Sequence, residues 1–336
     1  MAEIMILGSG GFGVSLSVML HKYGHSITMW SKFPKEIDEI QLFGENRKLL
    51  PGIPIDSSIE LTSSMENARK ADLVIFAVPS FAIRSVAKEL VGVIHPHTIV
   101  ANVAKGFEPD SLLRLSEVIR EELPQNDIVV LSGPSHAEEI ARNVPTTIVA
   151  ACENRRSAEY VQDILMNTNL RVYVNDDILG VELGGALKNI IAVCAGICDG
   201  LGVGDNTKAA LMTRGLAEIA RLGVAMGARA ETFMGLSGMG DLIVTCTSMH
   251  SRNRRAGILI GKGYTMEEAM DEVKMVVEGV YSAKAAMTLA EKYEVQLPII
   301  EQVNEVLFHG KAAAQAVNDL MLRDKKIEIS DDTMWS

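Results

Sequence analysis

In the first half of the chain, short and nearly continuous apolar runs alternate with segments in which apolar residues recur at helical spacing. The runs EIMILG (3–8), SITMW (26–30), ADLVIFAVP (71–79), HTIVANVAKG (97–106) and NDIVVLSGP (126–134) each end in glycine or turn chemistry. They predict strands. A strand with one face in water alternates apolar and polar residues, whereas a strand that is apolar throughout is buried on both faces. With helical stretches such as Val14–Tyr23 between them, these runs predict a parallel sheet covered by helices on both sides. TTIVAAC (146–152) and LRVYV (170–174) predict two further strands.

After about residue 178 the strand signals stop. Segments 178–200, 206–227, 230–235, 265–273, 280–293, 299–308 and 311–322 carry helical spacing. The expected organisation is therefore an α/β protein, with a parallel-sheet domain over 1–178 and an all-helical domain over 179–336. No repeat or low-complexity segment interrupts it, and the polar tail EISDDTMWS (328–336) is expected to fray.

Composition narrows the function classes. A chain of 336 residues suits roughly two domains at about 150 residues each. Hydrophobic residues make up 48% and charged residues 22%, enough apolar material for a large core. A net charge of −11 argues against a nucleic-acid or anionic-membrane surface. The opening MAEIMILGSGGFG has no basic region ahead of its apolar run, so no signal peptide is expected. No uncharged apolar stretch reaches the roughly 18 residues of a membrane span. Cys152, Cys194, Cys198 and Cys246 lack zinc-type spacing and read as small buried thiols, so the expected compartment is a reducing cytoplasm.

One motif carries specific chemistry in the first half. GSGGFG supplies Gly8, Gly10 and Gly13 directly after a strand and at the start of a helix. In that context the three glycines allow a tight turn, a close approach of backbone to a pyrophosphate, and close helix–strand packing. The helix N-terminus then faces the anion. This makes the first domain a Rossmann-type dinucleotide-binding unit. An acid that would hold the ribose 2′-hydroxyl is expected about 20 residues on. Here Trp30, Ser31 and Lys32 follow instead, and no carboxylate comes before Glu36. A hydroxyl and an ammonium suit a 2′-phosphate, so NADPH is expected in preference to NADH. The bland alternative leaves Lys32 as a solvated surface lysine.

Three stretches of the second half offer a proton donor and a substrate site. VELGGALKNIIAVCAGI (181–197) is apolar and small, yet it carries Lys188 and Asn189. Burying an unpaired ammonium costs several kcal/mol or strips its proton. Asp241 follows the glycine-rich GLSGMG, and HSRNRRAG (250–257) gathers Arg252, Asn253, Arg254 and Arg255 in an acidic chain. Each has a plainer reading: a rim lysine, a helix N-cap, a solvated arginine face, the last favoured for Arg254 and Arg255. The His95–His97 pair beside Pro96 reads as loop rather than metal site. Together, a buried lysine, a loop carboxylate and an Arg–Asn pair suit a small phosphorylated carbonyl compound.

In order, GSGGFG, NVAKGFE, LSGPSHAEEI, ELGGALKNIIA, GLSGMGDLIVTC, SRNRRAG and VVEGVYSA resemble the bacterial NAD(P)-dependent glycerol-3-phosphate dehydrogenases, from residue 3 to about 323. The resemblance implies a Rossmann domain followed by a helical domain. It implies an oxidoreductase acting on CH–OH that reversibly reduces dihydroxyacetone phosphate to sn-glycerol 3-phosphate, supplying phospholipid synthesis. It puts the cofactor at Gly8, Gly10, Gly11, Phe12 and Gly13, with Ser31 or Lys32, Lys105, Ala137, Arg252, Val276 and Glu278. Substrate would lie at Lys105, Gly133, Ser135, Lys188, Asn189, Asp241, Ser251, Arg252 and Asn253. Lys188 would exchange the proton, with Asp241 as its catalytic companion, and no metal is needed. A homodimer is the candidate assembly. Where the family often has threonine after GP this chain has Ser135, which keeps the hydroxyl. Ketopantoate or hydroxyacid reductases and a silent NADP(H)-binding sensor are the alternatives. The phosphate-suited arginine stretch speaks against the former, and the joint presence of Lys188, Asp241 and Arg252 against the latter.

Overall fold

The computed structural model describes residues 1–325, 327 and 328; the expected fray of the tail from 329 onward lies outside them. Eight strands form one sheet: β1 (Glu3–Leu7), β2 (Ser26–Trp30), β3 (Glu60–Thr62), β4 (Leu73–Phe76), β5 (Ile99–Asn102), β6 (Ile128–Ser132), β7 (Thr146–Ala151) and β8 (Leu170–Asn175). Their order is β3-β2-β1-β4-β5-β6-β7-β8. The helices of this half are α1 (Gly11–Lys22), α2 (Pro34–Phe43), α3 (Ile83–Leu90), α4 (Leu115–Glu122), α5 (Ala137–Ala141) and α6 (Arg155–Leu165). Within β1, Ile4 and Ile6 join the core on one face while Met5 and Leu7 join the core on the other. That double burial is why the strand reads as apolar throughout.

The expectation of a parallel sheet holds from β3 to β6 and is corrected at β7. β6 and β7 pair antiparallel, Leu131 opposite Ala150, and β8 then runs parallel to β7. The chain reverses through the short α5 instead of making another crossover, so one mixed sheet results. β3 escaped the sequence reading because three residues, an exposed Glu60 and the half-exposed Leu61 and Thr62, carry too little pattern. The strand order reverses between β1 and β4, and a ligand crevice opens outside the carboxyl ends of strands at such a point.

From Ile178 the chain is helical: α7 (Ile178–Leu201), α8 (Asp205–Ala225), α9 (Ala230–Phe233), a π-helical turn (Leu236–Gly240), α10 (Asp241–Thr247), α11 (Arg252–Gly261), α12 (Met266–Val273), α13 (Glu278–Lys292), α14 (Pro298–Phe308) and α15 (Ala313–Met321). α7 is the axis of this half, with α8, α10, α11 and α13 packed around it. Among the described residues it is the one helix long and apolar enough to cross a membrane, at mean hydropathy 1.6, but 89% of that window is buried in the fold. A helix that is apolar all round is a core helix when other helices cover it. All four cysteines are free and buried.

Candidate active site

The glycine loop joins β1 to α1. Gly8 has φ +128°, and a Cβ there would lie 2.5 Å from the Ala77 carbonyl oxygen at the end of β4. A Cβ on Gly13 would lie 2.0 Å from the Gly8 carbonyl oxygen, so helix and strand touch backbone to backbone. A Cβ on Gly10 would meet nothing within 4 Å. Two glycines are thus demanded by the protein itself, and the third leaves open space in front of an α1 N-terminus that carries no side-chain cap. Unpaired N–H groups facing open space are what a dinucleotide pyrophosphate needs, so the loop fits that cofactor.

Gly10, Gly11 and Phe12 line one end of a cleft of about 490 Å³ between the sheet ends and the helical half. Lys105, Ser135 and Ala137 line its middle, and Lys188, Asn189, Asp241, Ser251, Arg252, Asn253, Val276 and Glu278 close it from the helical side. Gly133 supports the cleft through its carbonyl, which accepts from Lys105 Nζ at 3.2 Å and Ser135 Oγ at 2.9 Å.

At the centre, Asp241 opens α10 and is only 1% exposed. Its Oδ1 accepts from Lys188 Nζ at 2.6 Å and its Oδ2 from Lys105 Nζ at 2.6 Å. The Thr245 hydroxyl, one turn along α10, donates to the Asp241 carbonyl oxygen and accepts from Lys188 Nζ. An ammonium has three hydrogens. Asp241 and Thr245 take two from Lys188, and Asp241 and Gly133 take two from Lys105, which leaves each lysine one hydrogen. Burial lowers the Lys188 pKa to about 8, with Asp241 opposing and Lys105 reinforcing the shift. For Asp241, burial acts upward but Lys105 and Lys188 outweigh it, and its carboxyl titrates below the usual range. Two ammoniums share one carboxylate, so the cluster carries a net positive charge.

The arginine stretch is the start of a helix, α11, which the sequence reading left unassigned. α11 lies against α7 across glycines: a Cβ on Gly257 would sit 2.1 Å from the Val193 carbonyl oxygen, and one on Gly196 would sit 2.1 Å from that of Arg254. This approach brings Asn253 to Asn189, whose Oδ1 accepts from Asn253 Nδ2 at 2.9 Å, while Asn253 Oδ1 accepts from the Gly279 N–H at 2.9 Å. Ser251 caps α11 at the Arg254 N–H. Arg252 is half-buried, lines the cleft and carries no salt bridge among the described residues. Burial pushes its pKa down, although Glu278 opposes this.

Arg254 and Arg255 are not the solvated face expected of them. Arg254 binds Asp199 at 2.7 Å and the Thr247 carbonyl at 2.8 Å. Arg255 lines the cleft with a buried Nε that has no partner among the described residues. Ser31 and Lys32 are also placed differently from expectation, since neither lines the cleft. Ser31 is buried and its hydroxyl donates to Glu36. The Lys32 side chain is 53% exposed and lies 3.5 Å from Glu89.

Sequence reasoning missed Thr245, His136, His250 and Lys48, all on the cleft wall. Thr245 had a signal, its spacing of four from Asp241 on one helix face. His136 keeps a buried Nε2 without a partner among the described residues, and burial, then the Lys188 charge, lowers its pKa.

Two family models match the chain: the NAD-dependent glycerol-3-phosphate dehydrogenase N-terminus over residues 3–158 and its C-terminus over 177–318. A glycerol-3-phosphate dehydrogenase, NAD(P)+, of Fusobacterium nucleatum is 54% identical, with 98% of this chain and 99% of that protein covered. One of the same name from Agathobacter rectalis is 53% identical over 98% of each. The crystal structure of glycerol-3-phosphate dehydrogenase from Coxiella burnetii superimposes with a TM-score of 0.92 at 37% identity, covering 96% of this chain and 99% of that one. A ketopantoate reductase from Ralstonia eutropha, at 13% identity and TM-score 0.61, shares the fold alone.

Proposed function

The chain belongs to the NAD-dependent glycerol-3-phosphate dehydrogenase family, and from that premise we propose how its cleft works. The protein is an oxidoreductase that acts on CH–OH with NAD(P) as acceptor, interconverting dihydroxyacetone phosphate and sn-glycerol 3-phosphate. When bound, the nicotinamide supplies the hydride that reduces the carbonyl carbon. The chain's own residues do the rest.

Lys188 is the general acid. As negative charge grows on the carbonyl oxygen, its one uncommitted N–H stabilises that charge and then transfers the proton. Asp241 and Thr245 aim the ammonium, and Lys105 adds a second positive charge on the far side of the carboxylate. Arg252 faces the cleft without a carboxylate partner, ready to pair with the substrate phosphate. Asn253, held between Asn189 and the Gly279 N–H, fixes the start of α11 and with it Arg252. Residues 1–178 form the cofactor domain and 179–336 the substrate domain, a division supported by β8 ending at Asn175 and α7 starting at Ile178. The expected cytoplasmic setting is supported by four unpaired buried thiols.

The observation that carries this reading is the Lys188–Asp241–Lys105 cluster, built on a buried lysine and carboxylate, in one cleft with an Arg252 that has no salt bridge among the described residues. The test is absorbance of NADH or NADPH during reduction of dihydroxyacetone phosphate. Turnover with dihydroxyacetone phosphate and none with ketopantoate is the expected result. Turnover of ketopantoate alone, or cofactor binding without any turnover, would replace it with the reductase or the sensor reading. Which dinucleotide is preferred is the finer question: the expected preference for NADPH would rest on Lys32, which leans on Glu89, and on Ser31, whose proton is already given to Glu36.

A further inference from the structure

The end of β2 decides how a dinucleotide fold treats the ribose 2′ position. In sequence that place holds Ser31 and Lys32. In space it holds a carboxylate. Glu36, in the first turn of α2, folds back so that its Oε2 accepts from Ser31 Oγ at 2.7 Å and from Ser9 Oγ at 2.8 Å. Ser31 is the first residue after β2, and Ser9 lies inside the glycine loop, next to the cleft-lining Gly10. One oxygen of Glu36 therefore ties strand end and loop together.

A serine hydroxyl has a single proton to donate. Both hydroxyls spend it on Glu36, which leaves neither able to donate to a 2′-phosphate. Oε1 of Glu36 has no protein donor among the described residues, and the residue as a whole is half-exposed, outside the cleft-lining set. It can accept from a ribose 2′-hydroxyl, while its charge repels a 2′-phosphate. Lys32, the cation that the sequence places after β2, is engaged with Glu89.

We propose that Glu36 is the specificity-determining residue for the cofactor, a carboxylate delivered from helix α2 that weakens binding of the 2′-phosphate and favours NADH. The inference rests on the cleft being the NAD(P)(H) site. It reverses the preference expected from Ser31 and Lys32.

The test is the ratio of dissociation constants for NADPH and NADH, measured by calorimetric titration of the full chain without substrate. Glu36→Gln keeps an acceptor for the two serines but removes the charge. The wild type should bind NADH more tightly, and Glu36→Gln should shift the ratio toward NADPH by about five- to tenfold, an effect sized for a half-exposed charge. That shift should shrink in high salt. Lys32→Ala, on an exposed side chain, should move the ratio by less than about twofold. A ratio unchanged in Glu36→Gln, or a tenfold loss of NADPH affinity in Lys32→Ala, would overturn the proposal while leaving the cleft as the dinucleotide site. Failure of the wild type to bind either dinucleotide would overturn the reading of the cleft, and the proposal with it.

Discussion

Lys188 is a charged residue in one of the driest positions of the molecule, and its burial sets a working pKa. Removed from water, the ammonium loses its proton at about pH 8 instead of the ordinary 10.5. Reduction consumes the proton of Lys188, so kcat for dihydroxyacetone phosphate should fall as pH rises through about 8. Oxidation of glycerol 3-phosphate needs the neutral amine, and its rate should rise through the same region. Paired pH–rate profiles check this; two profiles of the same sign would remove Lys188 as the exchanging group. At this scale the sequence was legible wherever a residue was out of character with its surroundings. A lysine in an apolar helix and an aspartate after a glycine loop announce themselves. Glu36 does not, because a glutamate in a polar helix start looks solvated, and only the fold brings it to Ser9. Arg254 was misread for the same reason, since its partner Asp199 lies 55 residues away.

Helices α7 and α11 show how an element can be hidden by the way it packs. α11 buries a glycine face, Gly257 and Gly261 against Gly196 and Gly200 of α7, with backbone approaching backbone. A helix that docks through glycine has little large apolar surface, so the apolar spacing that revealed α13 and α14 was missing from SRNRRAG. α7 itself was legible over nearly its whole length, because its apolar positions are uninterrupted. On an exposed helix, Gly→Ala stabilises by about 0.4–1 kcal/mol. For Gly257→Ala the sign should invert: the new methyl has no room against the Val193 carbonyl, and overpacking should cost about 1–3 kcal/mol in denaturant unfolding. It should also lower kcat/KM, because α11 carries Arg252 and Asn253. A stabilised Gly257→Ala would mean that the two helices do not meet this closely.

Among the polar ties that join the sheet half to the helical half, three pair strongly shielded side chains: Lys105 with Asp241, Ser80 with Glu278, and Arg114 and Ser116 with Glu182. The first lies on the cleft wall and the second reaches it through Glu278, so domain contact and site are one structure there. The third lies outside the cleft-lining set. Glu182, on α7, accepts from Ser116 N–H at 2.9 Å and from Arg114 at 2.7 Å. Glu182→Ala would leave the poorly exposed Arg114 with Glu117 as its one carboxylate partner, and should cost about 3 kcal/mol of stability with kcat held at wild-type level at 25 °C. Thermal unfolding and steady-state rates check it together; an unchanged unfolding curve would show that this tie holds nothing. The two-part architecture was legible from the switch between strand and helix periodicity near residue 178, whereas the reversal of β7 was not, because strand direction leaves no mark on an apolar run. What unites the molecule is the claim that both halves converge on one proton-donating lysine. The most direct test is Lys188→Met, with cofactor affinity and turnover of dihydroxyacetone phosphate measured on the same preparation. The account predicts NAD(P)H binding close to wild type and kcat reduced by at least about 10²–10⁴-fold; a variant that binds cofactor and keeps more than about half of the wild-type kcat would contradict it.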